Sequence, residues 1–195
     1  MCPSKNIILV SLTIALSLFF TLVPTNAQKD KAHTNPNPYE TVNNFCLHKR
    51  LNVAKPFCLR VLKNPKAANV KPNDFNPLLQ VAVNSTSSYV CKTLSQLLDL
   101  SEDLKTKPSL IPTVDKCIEA YEDVANYITN VFTDASQEST IAGLDGEVIE
   151  EYINGCIKAS VTTRDPDIAE WNNEAKTYAK LMIDIADNLS NNEHK

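Results

Sequence analysis

The chain has 195 residues with 19 basic and 23 acidic side chains, a formal net charge of −4, and only 3 glycines against 11 prolines. The acidic balance argues against a nucleic-acid binder, which needs a basic face. The scarcity of glycine argues against sheet-rich folds and phosphate-cradling loops, which use glycine for tight turns and close backbone approach.

Lys5 precedes an apolar run over residues 7–23, Pro24 breaks that run, and Thr25, Asn26 and Ala27 offer a small-x-small cleavage pattern. This predicts a signal peptide over residues 1–27. An uncleaved anchor is the competing reading, because the run approaches the lower limit of a membrane span. The remainder is the size of one domain, carries no later span, and is expected to be secreted, where disulfides are the default state of cysteine.

Residues 28–38 are polar and proline-bearing with no apolar period, which predicts a flexible N-terminal tail, and the folded domain is expected over residues 39–190. Over residues 39–63 two short helical pieces flank a polar turn near 51–55, and Cys46 with Cys58 would tie them into a hairpin. From 74 to 105, Leu79, Ala82, Val83, Thr86, Val90, Leu94 and Leu97 recur at helical spacing, with Asp74 as N-cap and Pro77 in the first turn. A second long helix over 109–135 places Leu110, Val114, Cys117, Tyr121, Val124 and Ile128 on one stripe. After a polar turn at 136–143, Leu144, Val148, Ile149, Tyr152 and Cys156 form a third. The fourth is the most regular: Ile168, Trp171, Ala175, Tyr178, Met182, Ile185 and Leu189 alternate steps of three and four, behind an Asp165 cap and Pro166. Four such stripes joined by short turns can be buried only against one another. The expected fold is therefore all-α, an antiparallel four-helix bundle with an N-terminal disulfide-stapled helical hairpin.

Antiparallel neighbours meet at positions equidistant from their turn, and the midpoint of Cys117 and Cys156 falls within 136–143. Pairing Cys91 with Cys117 would instead miss its turn by about four residues, roughly 6 Å along a helix axis, more than a disulfide tolerates. The expected bridges are Cys46–Cys58 and Cys117–Cys156, with Cys91 a free thiol buried as a small core residue.

The histidines His33, His48 and His194 all fall outside the four long helices. No Ser-His-Asp, Cys-His or Glu-x-x-His constellation can therefore form in the core, and no catalytic residue, cofactor or metal is expected. The acidic groups Glu119, Glu122 and Asp123, and Glu147, Glu150 and Glu151, read as solvated helix faces rather than paired catalytic carboxylates. Trp171, Tyr178 and Phe132 are candidate walls of a ligand cavity, although the regular period of the last helix favours core packing. Asn84-Ser85-Thr86 and Asn188-Leu189-Ser190 are sequons for N-glycosylation in an exported chain. Asn188 is the better placed, since Asn84 falls midway along a helix.

A leader, a cysteine-stapled hairpin, a lone cysteine on the next long helix and a cysteine pair joining two later helices together resemble the plant invertase and pectin methylesterase inhibitor family. The residues that carry the resemblance are Phe45-Cys46, Phe57-Cys58-Leu59-Arg60-Val61-Leu62 and Val114-Asp115-Lys116-Cys117-Ile118-Glu119-Ala120-Tyr121-Glu122-Asp123-Val124. It implies a non-catalytic protein of the apoplast, cell wall or vacuole that blocks a carbohydrate enzyme in a 1:1 complex. In that family, pectin methylesterase inhibitors cover the enzyme's substrate cleft with the helical bundle, whereas invertase inhibitors insert a Pro-Lys-Phe motif into the active site. Here Ser139-Thr140-Ile141 stands in that place, and residues 147–155 lack the Ser-Ala-Ala-Leu pattern of pectin methylesterase inhibitors. The missing invertase motif tilts the expectation toward pectin methylesterase (pectinesterase) over acid invertase (beta-fructofuranosidase). A small-ligand carrier and a secreted signalling bundle are the alternatives. One sequence assigns no inhibitory contact residues, because a docking face and a solvated face share one composition.

Overall fold

The computed structural model describes residues 37–193 apart from 73, 105–106 and 135–138. Among the described residues there are six α-helices and no strand. They are α1 (Glu40–His48), α2 (Lys55–Leu62), α3 (Asn76–Asp103), α4 (Ile111–Asp134), α5 (Ser139–Ser160) and α6 (Pro166–Glu193), with 3-10 turns at Pro65–Ala67 and Pro108–Leu110. All six belong to one compact unit, and the all-α class follows. The leader expected over residues 1–27 and nearly all of the tail expected over 28–38 lie outside the described residues. No described helix is long and apolar enough to cross a membrane.

Helix ends follow local chemistry where a cap is available. Asp165 Oδ1 accepts the backbone N–H groups of Asp167 at 3.1 Å and Ile168 at 3.2 Å, and Pro166 opens α6, so the donors orphaned at this helix start are satisfied as the sequence suggests. Just upstream, Arg164 adopts φ 49°, and its N–H closes the end of α5 on the Ser160 carbonyl at 3.0 Å.

Two local expectations are corrected. Asp74 does not cap α3: the N-cap position is Phe75, whose side chain makes no capping bond. Phe75 is instead 4 % exposed and packs on Phe45 with ring centroids 5.3 Å apart, so tertiary burial fixes this helix start. The turn expected over 136–143 is also too long, because α5 already begins at Ser139. Nothing in 139–143 removes a backbone donor, so the helix extends back from its apolar stripe despite Gly143.

The packing pairs are α3 with α4, α4 with α5, α5 with α6 and α6 with α3, while α1 and α2 pack on each other and α2 on α3. The stripes point into one core. Leu79, Val90 and Leu97 of α3, Val114, Tyr121 and Ile128 of α4, Ile149 and Ile153 of α5, and Ile168, Met182 and Ile185 of α6 are all buried. Burial of such side chains is the main favourable contribution to folding, about 1.5–3 kcal/mol each.

The structure contains both bridges named from the sequence. Cys46–Cys58 ties α1 to α2 with Cα atoms 5.7 Å apart, and Cys117–Cys156 ties α4 to α5 at 4.4 Å. Cys91 is a correction: it is disulfide-bonded rather than a free thiol, and its partner lies outside the described residues.

Candidate functional site

An open cleft of about 520 Å³ lies where α2, α3 and α6 converge. From the α2 side come Arg60 and, two residues beyond the helix end, Asn64. α3 contributes Asn84, Ser85, Ser88, Tyr89 and Lys92, which recur at steps of one, three and four and so share one face. Glu174 and Tyr178 of α6 are four residues apart and form the opposite wall.

The aromatic floor of the cleft is built by packing. Tyr89 and Tyr178 stack with centroids 4.9 Å apart, and Phe57 meets Tyr178 edge-on at 4.9 Å. The Arg60 guanidinium lies over the Phe57 ring at 5.0 Å and pairs with Glu174 Oε1 at 3.0 Å. The Arg60 side chain is 59 % exposed, so the pair contributes at most about 1 kcal/mol to stability. Its role is orientation, since it joins α2 to α6 across the cleft. The hydrogen bond to Glu174 raises the Arg60 guanidinium above its ordinary value. Burial, together with the nearby Glu174 charge, pushes the Tyr89 phenol well above its own, and burial likewise raises Tyr178. Both phenols stay protonated donors through the physiological range.

Buried polar contacts elsewhere join other elements. Tyr121 donates its hydroxyl to Asn172 Oδ1 at 3.0 Å, joining α4 to α6 inside the core. Asp184, 3 % exposed, accepts both donors of Asn52, the backbone N–H at 2.8 Å and Nδ2 at 2.6 Å, and so fastens the segment between α1 and α2 onto α6.

The residues singled out from the sequence are dispersed. Tyr178 lines the cleft and Trp171, half-buried against the core, does not, while the Phe132 side chain lies outside the described residues. Glu119 pairs with Lys116 at 2.6 Å and Glu150 with Lys176 at 2.9 Å, while Glu122, Asp123, Glu147 and Glu151 are exposed. Asn84 lines the cleft, and Asn188 lies on α6, its Nδ2 donating to the Asp184 carbonyl at 2.7 Å. The side chains of His33, His48 and His194 lie outside the described ones. Arg60, Tyr89, Lys92 and Glu174 were not identified beforehand as a site, since they come from three helices far apart in sequence. The only local signal was the polar face of α3 running beside its apolar stripe.

No protein-family model matches this chain, and no curated protein matches it significantly.

Proposed function

We propose that this chain is an exported, non-catalytic inhibitor that binds a pectin methylesterase in a 1:1 complex and covers its substrate cleft. In this reading α3 to α6 form an antiparallel four-helix bundle, α1 and α2 form the stapled hairpin at one end, and the bundle surface is the inhibitory part. The observation that carries it is the pair of bridges, Cys46–Cys58 and Cys117–Cys156, set in an all-helical chain. Those four cysteines are the residues on which the family resemblance rests. Disulfides of this kind form in oxidising compartments, which supports secretion to the apoplast or delivery to the vacuole.

A specific protein interface buries roughly 800 Å² per partner, and helices of 22–28 residues offer faces of that size without a cofactor. A scaffold held rigid by disulfides gives up little conformational freedom on docking. Ser139-Thr140-Ile141, standing where an invertase inhibitor carries Pro-Lys-Phe, favours pectin methylesterase over acid invertase.

The test is an activity assay of both enzymes with the purified chain at acidic pH. The expected result is loss of pectin methylesterase activity with acid invertase unaffected. Full activity of pectin methylesterase at micromolar excess of the chain would reject the proposal, and loss of invertase activity alone would reassign the target.

A further inference from the structure

We propose that the cleft between α2, α3 and α6 binds a short carboxylate-bearing saccharide, a function that does not depend on the inhibitory reading. The first ground is the kind of ligand the walls admit. Apart from the two tyrosines, the lining is charged or polar, and an apolar ligand would strand the Arg60–Glu174 pair and two amides without water, at about 1–3 kcal/mol for each unsatisfied group. The cleft volume of about 520 Å³ nevertheless lies within the range of true ligand sites. A hydroxyl-rich ligand with an apolar ring face suits both properties.

The second ground is that the polar groups are held in place with hydrogen-bonding capacity to spare. Asn84 Nδ2 donates to the Gln80 carbonyl at 2.7 Å, which leaves Oδ1 as an acceptor. Asn64 Oδ1 accepts the Lys66 N–H at 3.0 Å, which leaves the amide NH₂ as a donor. Ser88 Oγ donates to the Asn84 carbonyl at 2.9 Å and keeps its lone pairs. Glu174 binds Arg60 through Oε1 and also takes the Tyr89 hydroxyl as a hydrogen-bond donor, so its carboxylate is held in place within the cleft. Interleaved donors and acceptors fixed by the backbone are what adjacent sugar hydroxyls require, and because they are already ordered, binding costs little side-chain entropy. The Tyr89–Tyr178 pair, braced by Phe57, supplies the flat apolar surface for a ring face.

The third ground is charge. The chain carries a net −4, yet the cleft holds Arg60 and Lys92 against the single carboxylate of Glu174. Lys92 enters no ion pair among the described residues. A locally positive cleft on an acidic protein selects an anion, and Lys92 is the group available to meet its carboxylate. Asn84 also opens the sequon Asn84-Ser85-Thr86, and a glycan on it would fill the same space. Thr86 is 1 % exposed with its hydroxyl bonded to the Ala82 carbonyl at 2.8 Å, so modification would have to precede formation of α3.

The test uses protein produced without N-glycosylation, titrated by calorimetry and amide chemical shifts with cellobiouronic acid and with cellobiose, a pair differing only in the carboxylate. The expected result is saturable binding of the acidic disaccharide, about tenfold tighter than the neutral one, a difference of about 1.4 kcal/mol, with shifts concentrated at Asn84, Ser88, Tyr89 and Lys92. Lys92→Gln, an exposed change, should abolish that preference while leaving weak binding of both, whereas Asn64→Ala should weaken both alike. Absence of saturable binding at millimolar acidic disaccharide overturns the proposal. So does a preference that survives in Lys92→Gln, or a set of shifts located elsewhere on the molecule.

Discussion

A Cβ built at Gly146 of α5 would lie 2.6 Å from Ile183 Cγ1 and 3.4 Å from the Ala179 carbonyl oxygen, whereas at Gly155 it would meet nothing within 4 Å. Both positions are helical, so intrinsic propensity favours alanine at each by up to about 1 kcal/mol. At Gly146 the clash is with a branched side chain that is stiff at χ1, and overpacking costs about 1–3 kcal/mol. Gly146→Ala should therefore lower the unfolding midpoint and Gly155→Ala should raise it, by a few degrees each in thermal melts. Equal shifts of one sign would contradict the close approach of α5 and α6. The Asn52–Asp184 contact makes a second residue-scale prediction. Burial raises the Asp184 carboxyl above its ordinary 3.8, the Asp187 charge adds to that rise, and the two Asn52 donors pull it back. A raised folded value means the native state holds its proton longer, so the contribution of this group to stability is greatest below the ordinary carboxylate range. It falls as pH rises through the raised value and is constant above it. The Asn52 amide hydrogen bond is strongest to the ionised carboxylate. Asn52→Ala should thus cost about 1 kcal/mol at pH 7 and clearly less at pH 4, as measured by chemical denaturation. An equal loss at both pH values would show that Asp184 does not titrate as described.

At the scale of elements, Cys117–Cys156 closes a 39-residue separation between α4 and α5, and a staple of that span stabilises by about 3–4 kcal/mol on the chain-entropy account. Replacing both cysteines with alanine should lower stability by roughly 2–4 kcal/mol while leaving the far-ultraviolet helical signal intact below the transition. Loss of helix in the native state would mean the bridge forms the fold rather than fastening it. The long helices were readable beforehand because each apolar stripe repeats many times, and the α6 start was readable because Asp165 and Pro166 carry a local signal. The start of α3 was not, since Phe75 anchors it through Phe45, a residue thirty positions away that no local pattern connects to it. The early start of α5 escaped for a related reason. Polar residues at 136–143 read as a turn, but helix continuation depends on the cost of stopping as much as on composition. The bond of Cys91 could not be read from helix geometry, which relates only cysteines on helices that share a turn.

For the whole molecule, the same physics explains why the scaffold was legible and the cleft was not. A core is written as periodic burial along each helix, whereas the cleft joins Arg60, Tyr89 and Glu174 through an arrangement set only when α2, α3 and α6 pack. Two surfaces then carry the functional claims, a broad helical face for an enzyme and a small polar cleft for a saccharide. They are tested independently, inhibition by enzyme activity and saccharide binding by calorimetry. The central claim is stoichiometric inhibition, and the most direct measurement is a titration of pectin methylesterase activity with the purified chain at enzyme concentrations well above the dissociation constant. A 1:1 inhibitor gives a linear fall in activity that ends at one equivalent, with a 1:1 complex on a sizing column. Undiminished activity across the titration, with the two proteins eluting separately, would contradict it.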